Sequence, residues 1–310
     1  MRILVLGLAF LFSTCLMAAP IHKIVVFGDS LSDTGNLYEY MKHQLPSSPP
    51  YFEGRFSNGP VWIENVVKHY YPNRLSQSLL NYAFGGSGVS VDDDDDVLFT
   101  LQREVDSYLL SHHDMAEPDS LFVIWIGANN YIGMPDDPEH AVIEVNKGIR
   151  SELGRLVAHG AKHMMVLTIP DLGKMPAAAE FDMVDLWTNL SKKHNMILRE
   201  TFWEMRDQYP GVEWIFYDVN EMFTKALDVS DEYGFTNVKD TCYELLMSGT
   251  KNEQSISMLS IASSPKVLKS PGDACEGYLF FDPIHPTARA HRIIADEAIK
   301  ILDAAHMAFE

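Results

Sequence analysis

A serine that attacks an acyl carbon needs an imidazole to take its proton and a carboxylate to hold that imidazole. The chain carries these residue types near its two ends. Early on, Phe27-Gly28-Asp29-Ser30-Leu31 closes a short apolar run. Gly28 permits a tight turn there, and Ser30 stands where a helix can begin. Late in the chain, Phe281-Asp282-Pro283-Ile284-His285-Pro286-Thr287 sets Asp282 three residues before His285, just ahead of a helical pattern. With that spacing Asp282 can hold one imidazole nitrogen and leave the other for Ser30. The charge on a tetrahedral intermediate needs hydrogen-bond donors as well. Two more strand ends offer them. Gly86, in Gly85-Gly86-Ser87-Gly88, has a bare backbone N–H, and Asn129, in Gly127-Ala128-Asn129-Asn130, has a side-chain amide. Taken singly, each feature has a plainer reading: a turn with an N-cap serine, a loop Asp with a surface His, a Gly-rich turn, a helix cap.

The elements that would position these residues are legible as apolar runs alternating with amphipathic stretches. Residues 22–27, 79–84, 121–126, 164–169 and 212–219 are continuous apolar runs, which suits strands buried on both faces. Between them, helical patterns cover 61–70 (opened by Pro60), 97–112, 139–159 and 177–208, and a last helix is expected over 286–308. Strands alternating with helices imply a mostly parallel sheet covered on both sides, with ligands at the carboxyl edge of the strands. Three stretches depart from the alternation: a loop over 41–59 that holds Arg55 and Phe56, the acidic run Asp92 to Asp96, and residues 243–274.

Together these segments resemble the GDSL, or SGNH, hydrolase family. Gly-Asp-Ser-Leu-Ser-Asp-Thr-Gly-Asn over residues 28–36 resembles its first block, residues 81–86 the second, Gly127 to Asn129 the third and Asp282 to His285 the last. Arg-Phe-Ser-Asn-Gly-Pro-Val-Trp over 55–62 is similar to a segment of secreted bacterial members, the lysophospholipase A and glycerophospholipid–cholesterol acyltransferase group. One departure is Asn130, where many members carry Asp. The resemblance implies a three-layer α/β/α flavodoxin-like sandwich with a central five-stranded parallel sheet in the order 2-1-3-4-5. It implies Ser30 as nucleophile, His285 as base and then acid, and Asp282 as its orienting carboxylate. The oxyanion hole would comprise the Ser30 and Gly86 N–H groups and the Asn129 side chain. The implied activity is hydrolysis of fatty-acyl esters of phospholipids or lysophospholipids. Acyl transfer to a sterol, a carbohydrate esterase and a silent lipid-binding scaffold stand as alternatives.

Composition narrows the partners. The 310 residues carry 24 Lys and Arg against 43 Asp and Glu, a formal net charge of −19, which repels nucleic-acid phosphates and anionic lipid surfaces. Membrane contact, if made, must be peripheral and apolar or zwitterionic. A positive start, an apolar run and small residues make residues 1–19 a secretory signal peptide, with 20–310 as one hydrolase domain and a secreted product. Cleavage would leave Cys242 and Cys275 as the cysteines of the mature chain. In an exported protein they are expected to pair, the alternative being two free buried thiols. The enclosed segment, 243–274, has the composition of a flap that an activating protease could nick. The acidic run reads as a solvated loop, and His112, His113, His159 and His163 as surface or helix-end residues. No cofactor or metal is expected.

Overall fold

The computed structural model describes residues 20–90, 99–243 and 275–310. In chain order the elements are β1 (Lys23–Gly28), α1 (Asn36–Tyr40), α2 (Trp62–Tyr70), α3 (Leu75–Ser78), β2 (Leu79–Asn81), α4 (Leu101–Ser111), β3 (Ser120–Trp125), α5 (Ala128–Ile132) and α6 (Pro138–Ala158). There follow β4 (His163–Leu167), α7 (Pro176–Glu180), α8 (Val184–Gln208), β5 (Glu213–Tyr217), α9 (Val219–Asp228), β6 (Asn237–Thr241), β7 (Tyr278–Phe280) and α10 (Ala288–Ala304). The first five strands form one sheet in the order β2-β1-β3-β4-β5, every pair parallel, as the family resemblance implies.

Side-chain alternation along the strands explains the continuous apolar runs. Val25 and Phe27 of β1 point into one core with Phe122 and Ile124 of β3, against α4, α6 and α8. Ile24 and Val26 point into the opposite core with Leu121 and Val123, against α2 and α10. Both faces of the sheet are dry, so a helical layer lies on each side. Helix starts follow the chemistry of orphan N–H groups: Asp137 accepts from His140 N at 3.1 Å ahead of Pro138, and Thr287 accepts from Ala290 N at 3.4 Å.

Several expectations are corrected. The helix expected over 177–208 is two helices, α7 and α8, because the chain turns between them with Asp182 at φ 59. The last helix begins at Ala288 rather than Pro286, since Thr287 is its cap. The run 212–219 is a strand only through Tyr217; Asp218 then caps α9, which the sequence reading missed along with the parallel pair β6–β7. His163 is no surface residue. It opens β4, buried, with Nδ1 2.9 Å from Glu213 Oε2. A disulfide joins Cys242 and Cys275, and both half-cystines sit in a small core with Tyr51, Phe56, Tyr243 and Phe281. Residues 1–19, the acidic run and positions 244–274 of the expected flap lie outside the described residues. Among the described residues no helix is long and apolar enough to cross a membrane.

The end of β1 is the tightest point of the sheet. Gly28 pairs with Trp125 of β3, and a Cβ on Gly28 would stand 2.4 Å from the Trp125 carbonyl oxygen. Backbone on a buried strand cannot yield as a side chain can. Gly28→Ala should therefore destabilise the fold by roughly 1–3 kcal/mol, the usual cost of overpacking. A lower urea midpoint with an unchanged m-value checks this.

Candidate active site

Ser30 lies just past the carboxyl end of β1, in a turn that its own neighbours close. Asp29 accepts Leu31 N at 3.0 Å through its side chain, and the Asp29 carbonyl accepts Ser32 N and Asp33 N, each at 2.9 Å. Such an Asx turn stops the strand and begins a helical sense without a full helix. It leaves Ser30 only 3% exposed, at the edge where a parallel sheet opens.

The partners of Ser30 come from the segment before α10. Asp282 Oδ1 accepts Ile284 N at 2.8 Å and His285 N at 2.7 Å, so this loop is also an Asx turn. Its Oδ2 meets His285 Nδ1 at 2.6 Å, and His285 Nε2 lies 2.9 Å from Ser30 Oγ. An ionised carboxylate only accepts, so Nδ1 carries the ring proton and Nε2 presents its lone pair to the Ser30 hydroxyl. Burial by itself would raise the Asp282 carboxyl, but the adjacent His285 and the hydrogen bonds outweigh it and hold the group below its ordinary 3.8. The structure thus brings together Ser30, His285 and Asp282, the three residues singled out for this role, across a sequence separation of 255.

A further residue on this relay has no signature in the sequence. Tyr51, fully buried in the 41–59 loop, donates its hydroxyl to Asp282 Oδ2 at 2.7 Å. Burial and the neighbouring Asp282 charge push the phenol well above its usual 10.0, so it stays a donor. The carboxylate therefore accepts four hydrogen bonds in a site with no water-facing surface.

Gly86 follows β2 and Asn129 follows β3, the strand ends expected for them. Phe84 O accepts Ser87 N at 3.0 Å, closing a tight turn with Gly86 at φ +83, a conformation open to glycine. Apart from Gly86 and its two chain neighbours, no described atom lies within 4 Å of the place a Gly86 Cβ would occupy. Asn129 stands in the first turn of α5 and donates Nδ2 to Ser87 O at 2.7 Å. An amide nitrogen has two protons, and the second has no partner among the described residues. Asn130, the departure noted in the sequence, clamps Val89: Oδ1 accepts its N–H at 2.9 Å and Nδ2 donates to its carbonyl at 2.7 Å. A carboxylate there could accept but not donate.

The Arg55 to Trp62 segment explains itself once folded. Phe56 packs against the His285 ring with centroids 5.1 Å apart. Ser57 Oγ donates to Pro286 O at 2.9 Å, and Asn58 Oδ1 accepts Ala288 N at 2.8 Å. Trp62 Nε1 donates to Ser32 Oγ at 3.0 Å. Arg55 holds Glu64 at 2.7 Å, and Glu64 in turn accepts Val61 N at 3.0 Å. The segment therefore fastens the loop of His285 to the loop of Ser30. Asp33 works from the other side, accepting Gly85 N at 2.7 Å beside the Gly86 turn. Among the described residues no group of three or more His, Cys, Asp or Glu could hold a metal ion.

The comparisons with known proteins agree with this geometry. The family model described as GDSL-like lipase/acylhydrolase matches residues 24–298, a span that includes every side chain of the relay. A phosphatidylcholine-sterol acyltransferase of Aeromonas hydrophila is 30% identical, covering 91% of this chain and 90% of its own length. The secreted effector protein SseJ of Salmonella typhimurium is 28% identical over 89% of this chain and 62% of its own. The thermolabile hemolysin of Vibrio parahaemolyticus is 27% identical over 90% and 63%. In fold, a catalytic mutant of the acetylxylan esterase Axe2 from Geobacillus stearothermophilus superposes with a TM-score of 0.51 at 14% identity, over 92% of this chain and 96% of that one. The length of the family match, with the sheet order and the carboxyl-edge loops it spans, leads to one conclusion: the chain belongs to the GDSL lipase/acylhydrolase family and is a carboxylic ester hydrolase.

Proposed function

We propose that the protein cleaves fatty-acyl esters of phospholipids and lysophospholipids through an acyl-enzyme on Ser30. The observation that carries the proposal is the unbroken relay from Ser30 Oγ to His285 Nε2, 2.9 Å, and from His285 Nδ1 to Asp282 Oδ2, 2.6 Å. As Oγ attacks the ester carbon, its proton passes to Nε2, and Asp282 stabilises the imidazolium. The carbonyl oxygen becomes an oxyanion that the Ser30 and Gly86 N–H groups and the second Asn129 amide proton receive. Collapse of the intermediate breaks the ester C–O bond, and Nε2 returns the proton to the leaving alcohol. Water then repeats the sequence on the acyl-enzyme and releases the fatty acid.

A lipid acyl group is supported by the Aeromonas hydrophila relative, which is named as a phosphatidylcholine-sterol acyltransferase. A second reading changes only the acceptor: a sterol hydroxyl in place of water would give an acyltransferase. The Aeromonas relative, named for that reaction and matched along nearly its whole length, favours keeping it. Export through residues 1–19, peripheral contact with lipid and a protease acting within 243–274 belong to the same proposal. A panel of lysophospholipid, diacylphospholipid, nitrophenyl butyrate and acetylated xylan, with products resolved in the presence of cholesterol, tests it. Free fatty acid from the lysophospholipid is expected as the main product. Turnover of the acetylated sugar alone would overturn the lipid reading, and cholesteryl ester as the main product would favour the transferase.

Ser30→Ala should lower turnover roughly 10⁴-fold or more while the protein stays folded, as loss of a triad member does. Circular dichroism and a fluorophosphonate label on Ser30 of the native enzyme accompany the assay. Tyr51→Phe leaves Asp282 with a bond missing in a dry site. At neutral pH that should cost about 1.5–3 kcal/mol, the range for hydrogen bonds to charged groups. The sign with pH follows from the lowered Asp282 carboxyl. Its contribution to stability is full above the ordinary 3.8 and is lost as the pH falls below that value. The gap between native and Tyr51→Phe proteins in denaturant midpoints should therefore be wide at pH 7 and narrow towards pH 3.

A further inference from the structure

We propose that Glu104, which has no part in the Ser30–His285–Asp282 relay, is a positioning residue for the oxyanion hole, tying the strand end that carries Ser30 to the turn that carries Gly86. The inference rests on the oxyanion reading of Gly86 and Asn129 given above.

Glu104 lies in the first turn of α4 and is 3% exposed. Its two oxygens go to a strand end and to a turn. Oε2 accepts Gly28 N at 2.8 Å, two residues before Ser30. Oε1 accepts the hydroxyl of Ser87 at 2.6 Å, one residue after Gly86. The carbonyl of Ser87 in turn receives Asn129 Nδ2 at 2.7 Å. A single line of hydrogen bonds therefore runs from Gly28 through Glu104 and Ser87 to Asn129. It touches each of the three segments that supply an oxyanion donor.

The sheet explains why Gly28 needs this partner. The pairing of β1 with β2 ends at Val26 opposite Asn81. Beyond it, the Gly28 carbonyl still receives Phe84 N at 3.1 Å, but the Gly28 N–H meets no strand acceptor on that side. A buried N–H without a partner is costly, and the Glu104 carboxyl takes the place of the missing strand. The chosen group is itself expensive. Burial pushes its acid well above the ordinary 4.5 and the nearby Asp29 and Asp33 add to that, against the bonds from Ser87 and Gly28. An apolar residue would pack there more cheaply but could join neither loop. Oxyanion donors act only when held to within a fraction of an ångström of where the charge develops. A loosened turn should thus lower kcat and leave KM nearly alone.

The test compares Glu104→Ala, Glu104→Gln and Ser87→Ala, each alone and combined with Asn129→Ala, with a short nitrophenyl ester as substrate. Glu104→Ala should lower kcat by roughly 10- to 100-fold with KM within about twofold, the pattern of a lost transition-state contact. Glutamine can accept from Gly28 N and donate to Ser87 Oγ, so Glu104→Gln should recover most of the rate. Ser87→Ala removes only a hydroxyl and should lower kcat about tenfold; it carries the test if Glu104→Ala fails to fold. In the Asn129→Ala background both losses should shrink, because residues acting through one hole are not additive. Folded Glu104→Ala and Ser87→Ala proteins with native kcat would overturn the proposal. So would losses that multiply fully with Asn129→Ala, or a rise in KM with kcat unchanged. Failure of the hydrolase mechanism itself is a separate result: activity would survive Ser30→Ala.

Discussion

The active-site end of the molecule is organised around one buried negative charge. Asp282 has no exposed surface, and a carboxylate removed from water is tolerated only when its lone pairs are occupied. Its own loop supplies two backbone donors, His285 supplies the ring N–H and Tyr51 the fourth bond. The small core around it, with Phe56, Phe281, Tyr243 and the Cys242–Cys275 disulfide, keeps these donors in place and water out. Because one oxygen is shared between Tyr51 and His285, the position of the base depends on a loop more than two hundred residues away in sequence.

The parallel sheet makes the rest possible by bringing separate strand ends to one edge. β1 delivers Ser30, β2 leads into Gly86 and β3 leads into Asn129. These loops are fastened to one another and to the loop of His285: Asp33 holds the Gly85 turn, Asn129 holds Ser87, Trp62 holds Ser32 and Asn58 holds the start of α10. The Arg55 to Trp62 segment acts as a brace between the first and last loops. An aromatic, two short polar residues and an indole make these ties from within one short segment. Burial of both sheet faces supplies the stability against which these polar ties are made.

Much of this was legible from local pattern. Continuous apolar runs announce strands buried on both faces, and all five start within one residue of the observed strands. Gly28, Ser30, Gly86, Asn129, Asp282 and His285 were recognisable because each lies at the end of such a run or within a short motif whose chemistry is set by near neighbours. Local sequence also determines the Asx turns at Asp29 and Asp282, since the bonds that form them reach only two or three residues.

What only the tertiary structure decided is the identity of the long-range partners. Tyr51 and Asp282 are 231 residues apart, Gly28 and Glu104 76 apart, and nothing in either neighbourhood marks the pairing. A tyrosine in a Pro-rich loop and a glutamate on an amphipathic helix read as ordinary side chains. The break at Asp182 and the short helix after β5 were likewise invisible, because helical propensity continues through the first and apolar character through the second. Sequence by itself determines where the chain turns and which groups can do chemistry. Which distant group completes a buried hydrogen bond is settled only when packing has removed the water that would otherwise have served.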